Sequence, residues 1–151
     1  MSAQSQRKNM QAIYSLISME LGYIYGEREN GPNGAKKEFL TKSAAFLRAL
    51  GKDLNLIEMQ VKTNPAGIAV SGDVSLYGMW SGGNGLCFKI EEPVKPFSAF
   101  LYRHIIGMKD YSGGSNQWLP CSIFGDRDYD RVIDTLSPLR KQPETEANHA
   151  A

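Results

Sequence analysis

Hydrophobic positions along this chain change their spacing twice, and the changes mark out three regions. From Asn9 the apolar residues fall at Met10, Ile13, Tyr14, Ile17, Leu21 and Ile24. Steps of three and four gather them on one stripe of a helix, with Gln11, Ser15, Ser18 and Glu20 turned away from it. Asn9 suits the N-cap and Gly26 the stop. The run Glu29-Asn30-Gly31-Pro32-Asn33-Gly34 then breaks regular structure. A second helix is predicted from Ala35, burying Phe39, Ser43, Phe46, Leu47, Leu50 and Leu54 and exposing Lys37, Lys42 and Arg48. Gly51 offers it an early stop, with Lys52–Asn55 as a turn.

After Leu56 the period drops from about 3.6 to 2. Ile57, Met59 and Val61 alternate with Glu58, Gln60 and Lys62, the signature of a half-buried strand, and Asn64-Pro65-Ala66-Gly67 turns the chain. Alternation then resumes from Ile68 to Trp80, as one strand or as two with a bulge at Gly72. Ser81-Gly82-Gly83-Asn84-Gly85 reads as a hairpin loop, Leu86, Phe88 and Ile90 as its returning strand, and Ser98–Ile106 as a further strand with bulky residues on both faces. A long loop over Gly107–Pro120 precedes a short strand at Cys121–Phe124. Asp126 then caps a last helix with Tyr129, Val132, Ile133 and Leu136 inward, ended by Pro138.

Strands joined by short connections pair antiparallel, because parallel pairing needs crossovers of about a dozen residues or more. The expected class is therefore α+β: a four- to five-stranded antiparallel meander packed against two N-terminal helices and one C-terminal helix. Residues 9–140 form a single domain in this reading, with residues 1–8 and the tail 141–151 disordered.

The chain's 151 residues suffice for one buried core. Seventeen Lys and Arg against sixteen Asp and Glu leave a formal charge of +1, which excludes both a polyanionic nucleic-acid mimic and a strongly basic nucleic-acid or membrane coat. Residues 1–50 carry seven basic and four acidic side chains, and Lys36, Lys37, Lys42 and Arg48 form a modest basic strip best read as a solvated helix face. The two cysteines, Cys87 and Cys121, lie in segments read as β and are expected to be buried free thiols of a cytoplasmic protein. With no CxxC spacing, and only His104 and His149 as histidines, neither a metal site nor any cofactor is expected. No apolar run reaches the length of a membrane span, so no membrane partner is expected.

The candidate working surface is the Gly107–Pro120 loop, since a connection of that length often has a function. Trp118 offers a large apolar area with one donor, Gly113-Gly114 permits close backbone approach, and Lys109, Asp110, Tyr111 and Asn116 add charge and hydrogen bonding. Trp80 and Tyr77, beside the glycine-rich hairpin, form a second candidate. These residues point to a non-enzymatic binding protein that acts sterically on a protein or nucleoprotein partner through a few aromatic anchors. The alternative is single-stranded nucleic-acid binding on an aromatic sheet face, with Tyr102, Phe88, Tyr77 and Phe100 stacking bases and Arg103, Lys62 and Lys89 reaching phosphates. An enzyme would need His104 and Asp110 as a base and its orienter, activating Tyr111 or Ser112, and no catalytic motif accompanies them.

The segment Lys109-Asp110-Tyr111-Ser112-Gly113-Gly114 resembles the Asp-Tyr-Thr-Gly-Gly segment of an antirestriction family over about five residues. The remaining chain does not follow that family's pattern. Together with the compact α+β plan, the segment resembles the small accessory proteins of mobile genetic elements, the anti-CRISPR and antirestriction proteins. What the resemblance implies is inhibition of host defence: binding that blocks a nucleic-acid-processing complex of the host.

Overall fold

Five strands, each hydrogen-bonded to the next in sequence, form one antiparallel sheet in a computed structural model of the chain. The structure describes residues 3–18, 35–64, 73–91, 99–108 and 110–141. The strands are β1 (Glu58–Asn64), β2 (Asp73–Met79), β3 (Gly85–Glu91), β4 (Ala99–Ile105) and β5 (Gln117–Pro120). Helices α1 (Ala3–Ile17) and α2 (Ala35–Asp53) precede the sheet; α3 (Ser122–Gly125), α4 (Tyr129–Leu136) and a 3-10 turn (Ser137–Arg140) follow it. This is the expected α+β meander, with the fifth strand present.

Side chains alternate across each strand, so the pairing register sorts the sheet into two faces. Val74 and Leu76 of β2, Leu86, Phe88 and Ile90 of β3, Phe100 of β4 and Leu119 of β5 join one core with Met10 and Ile13 of α1, Phe39, Phe46, Leu47 and Leu50 of α2, and Phe124, Tyr129 and Val132 beyond the sheet. Phe124 is the hub of its aromatic part, with the rings of Phe46 and Phe100 each centred 5.0 Å away. The described helices thus lie over one face. The other face is left to solvent and to loops, and it carries the candidate site.

Several element boundaries differ from the expectation. α1 starts at Ala3, so residues 3–8 are helical and Asn9 lies inside the helix. The cause is Gln6, a polar residue on the buried stripe, whose Nε2 donates to the Phe46 carbonyl at 2.9 Å. Gly51 does not stop α2; it is buried in the last turn against Met59, and Asn55 reverses the chain with φ 61°. The last strand is Gln117–Pro120 rather than Cys121–Phe124, because its register against Ala99–Tyr102 ends at Pro120 and Cys121 turns into α3. Asp128, not Asp126, caps the last long helix by accepting from the Arg131 amide. Arg127 at φ 55° turns the chain just before it.

The first helix beyond Ser18, the Glu29–Gly34 breaker, the turn after Asn64, the strand residues Ile68–Val70 with the Gly72 bulge, Lys36's side chain, Lys109 and the tail beyond Lys141 lie outside the described residues.

Candidate functional site: the open face of the sheet

The register aligns the open face in transverse rows. One row crosses all five strands as Lys62, Ser75, Lys89, Leu101 and Trp118. The next runs Gln60, Tyr77, Cys87 and Arg103. In the first row Lys62 and Trp118 are exposed at the two edges, Lys89 and Leu101 are half-buried and Ser75 is buried; in the second, Tyr77 and Cys87 are buried.

The second row is roofed by the loop after β4. Tyr77, Met79, Cys87 and Ile105 form a small second core, against which Met108 and Tyr111 pack. The Tyr111 ring stands 6.3 Å from that of Tyr77 in an edge-on arrangement, and the Arg103 guanidinium lies over it at 5.5 Å. Burial pushes the Tyr111 hydroxyl upward in pKa, with Tyr77 adding to the effect. The Cys87 thiol is pushed up to about 11 by burial, the opposite of a reactive thiolate.

Arg103 and His104 hold the loop from opposite sides of β4. Arg103 donates through Nη2 to the carbonyls of Tyr111 and Gly114, and through Nη1 to Asn116 Oδ1 at 3.0 Å. His104 sets Nδ1 against the Gly113 carbonyl at 2.9 Å and Nε2 against Asn84 Oδ1 at 2.8 Å. The loop must run close for this. A Cβ on Gly114 would lie 2.8 Å from the His104 carbonyl oxygen, so only glycine fits. Asp110 accepts from the Ser112 amide at 3.1 Å and from its hydroxyl at 2.8 Å, which lowers the carboxyl's pKa.

These contacts correct several expectations. His104 is 4% exposed, and its ring nitrogens are turned to Gly113 and Asn84, while Asp110 is turned to Ser112, so the His104–Asp110 dyad does not form. Tyr111 is a roof over the sheet rather than a free anchor, and Tyr77 lies beneath it. Trp80 is 2% exposed and donates through Nε1 to the Leu54 carbonyl at 2.6 Å, fastening the hairpin to the end of α2. That makes it a structural residue. Phe88, Phe100 and Tyr102 project to the helix side, with Phe88 and Phe100 fully buried and Tyr102 packed against the main core. They leave no base-stacking platform there.

Trp118 answers to the expectation of an exposed aromatic. It is 57% exposed, on a strand rather than a loop, and stands opposite the half-buried Leu101. Asn116, also exposed, sits two residues before it and is tied back by Arg103. Lys62 is exposed and Lys89 half-buried in the same row. Asp73 and Glu91 pair with each other in the row beyond Lys89. Burial raises the Glu91 carboxyl's pKa, Asp73 adds to the rise, and Lys89 opposes it.

Reading sequence alone missed the Arg103 clamp, the roof made by Met108, and the part of Asn84. A guanidinium followed at eight to thirteen residues by glycines and an Asn would have been the one available signal for the clamp. Among the described residues no group of three or more His, Cys, Asp or Glu could hold a metal ion, and no helix is long and apolar enough to cross a membrane. Comparison with known protein families, with curated proteins and with solved structures finds no match to this chain.

Proposed function

We propose that this chain is a non-enzymatic binding module that engages a protein or nucleoprotein partner through the open face at β4 and β5, with Trp118 as its anchor. The observation that carries the reading is Trp118 itself: a large aromatic held 57% exposed on a strand whose neighbouring loop is clamped at three carbonyls and an amide. A rigid anchor loses little conformational freedom on binding, so more of its burial becomes affinity. Covering its exposed part would remove on the order of 100 Å² of apolar surface from water, worth about 2–3 kcal/mol. Further along the same face, Lys89 shares its row and the carboxylates Asp73 and Glu91 form the row beyond, a mix of both charges of the kind found at the polar rim of a protein interface.

The action would be steric, by occupying a working groove or holding a moving part still. Inhibition of a host nucleic-acid-processing or CRISPR-type complex is the specific form that the likeness of residues 109–114 to antirestriction proteins suggests. The test is affinity capture from a host lysate with wild-type and Trp118→Ala baits of equal stability. The reading expects a partner retained by the wild type and lost from the variant; equal capture by both baits contradicts it.

Single-stranded nucleic acid remains a second reading on one observation: Lys62 and Lys89 share a row with Trp118. One indole and two ammonium groups could take a base and its phosphates. The adjoining carboxylates Asp73 and Glu91 oppose a polyanion, which favours the protein reading. Titration of a labelled oligonucleotide at low and high salt decides between them, since nucleic-acid binding weakens steeply with salt.

A further inference from the structure

His104 is the middle of a hydrogen-bond chain that joins three separate parts of the fold. On one side lies the Gly113 carbonyl of the loop after β4; on the other lies Asn84 of the β2–β3 hairpin, whose Nδ2 donates to the Arg140 carbonyl of the terminal 3-10 turn at 3.2 Å. The two ends of the chain fix the direction of every bond in it. Backbone carbonyls only accept. The Gly113 carbonyl therefore needs a proton on Nδ1. The Arg140 carbonyl takes the Asn84 amide nitrogen, which leaves Asn84 Oδ1 facing Nε2 and needing a second proton there. All three bonds exist together only when the imidazole carries both protons.

We propose that His104 is a proton-operated latch for the C-terminal 3-10 turn. With both nitrogens protonated, the ring orients Asn84 and the amide holds Arg140. When one proton leaves, the bond to Gly113 keeps the remaining one, because it is the end anchored in the clamped loop. Nε2 then presents a lone pair, Asn84 turns over to donate to it, and the Arg140 carbonyl is given up to water. That last bond is exposed, so it is the cheapest of the three to lose. The proton itself passes to solvent, and no covalent bond changes.

The charged groups of the elements that meet at the ring divide as follows. Arg103, next to it on β4, turns its guanidinium to the other face of the sheet and into the loop carbonyls. Arg140 contributes its own cation from the turn. Asp110, the loop's carboxylate, is engaged by Ser112. Among the described residues the partners of the two ring nitrogens are amide-type oxygens, not carboxylates.

The test is nuclear magnetic resonance of the full chain, labelled with nitrogen-15, between pH 5 and 8.5. The expected result has three parts. His104 shows two protonated nitrogens in acid and the Nδ1–H tautomer in base. The amide signals of Arg140 and Lys141 shift along the same pH curve, while those of Gly113 and Gly114 shift far less. In Asn84→Ala, which removes the link and leaves the ring in place, the pH dependence at Arg140 and Lys141 disappears. A ring that keeps one tautomer throughout, Arg140 signals that do not follow the ring, or coupling that survives in Asn84→Ala would each overturn the proposal. Asn84→Asp supplies a further check: it keeps an acceptor for Nε2 but has no donor for Arg140, so the turn should hold its high-pH signals at every pH.

Discussion

Arg103 and His104, consecutive on β4, grip the same loop from opposite faces of the sheet, the first through the carbonyls of Tyr111 and Gly114 and the second through that of Gly113. Alternation along a strand sends neighbours to opposite sides, so two adjacent residues can bracket a segment lying along the strand's edge. The edge is vacant there because β5 pairs only with Ala99–Tyr102. The loop fills the remaining edge, roofs Tyr77 and Cys87 with Tyr111, and leads directly into the strand that displays Trp118.

Arg103→Lys should therefore not preserve the loop. A lysine places one ammonium where the guanidinium reaches two carbonyls and an amide oxygen at once, and the stacking over Tyr111 is lost as well. Hydrogen bonds to a charged group contribute about 1.5–3 kcal/mol each in favourable cases, and this site is only half-buried, so a loss of roughly 2 kcal/mol is expected. Urea denaturation measures it, and faster amide exchange at Ser112–Gly114 should accompany it. Wild-type stability in this variant would show that the clamp is unimportant.

Trp80→Phe should cost about 1–3 kcal/mol, because the buried Leu54 carbonyl loses the donor of a 2.6 Å bond. Thermal unfolding should register a fall of roughly 5 °C. Partner capture should be unaffected, which separates this indole from Trp118. An unchanged melting temperature would contradict the structural role assigned to it.

Stability should decline in alkali. Burial raises the thiols from an ordinary 9.0 to about 11 at Cys87 and about 12 at Cys121. It also raises Tyr129, whose hydroxyl donates to Asp53 at 2.6 Å, and Tyr111. A folded-state pKa above the unfolded one means the native state keeps protons that the unfolded chain releases, so the stabilisation is complete below about pH 9 and is lost as pH rises through 11 and 12. Urea midpoints measured from pH 8 to 11 should fall steadily. The same burial predicts that both thiols resist modification in the native protein and react after unfolding. A flat pH profile or rapid labelling of the folded chain would count against it.

The periodicities were enough to recover the meander and the core stripes, because those depend on local alternation. What they could not supply was decided by contacts distant in sequence. Tyr77 and Met79 alternate with Val74 and Leu76 as an open face should, yet Met108 and Tyr111 return some thirty residues later to cover them. Trp80 sits beside a glycine-rich tip with positive φ at Gly82 and Gly83, a position that suggests display, but its nitrogen finds a carbonyl 26 residues back. Gln6 breaks the apolar count at the start of α1 although it is buried, since its partner is a backbone carbonyl 40 residues on. Phe88 and Tyr102, expected to stack bases on an exposed sheet face, stand opposite each other on the helix side instead. Trp118 was legible because it is a large aromatic in a polar stretch, and no later described residue covers it.

The two indoles give the most direct measurement, for one is 2% exposed and the other 57%. Tryptophan emission of the chain, followed with iodide as quencher while the captured partner is titrated in, reports on each separately. If the open face at β5 is the working surface, the quenchable half of the emission becomes protected and shifts to the blue in step with binding, and Trp118→Ala abolishes both effects. A partner that saturates the protein while Trp118 stays fully open to iodide would contradict the account.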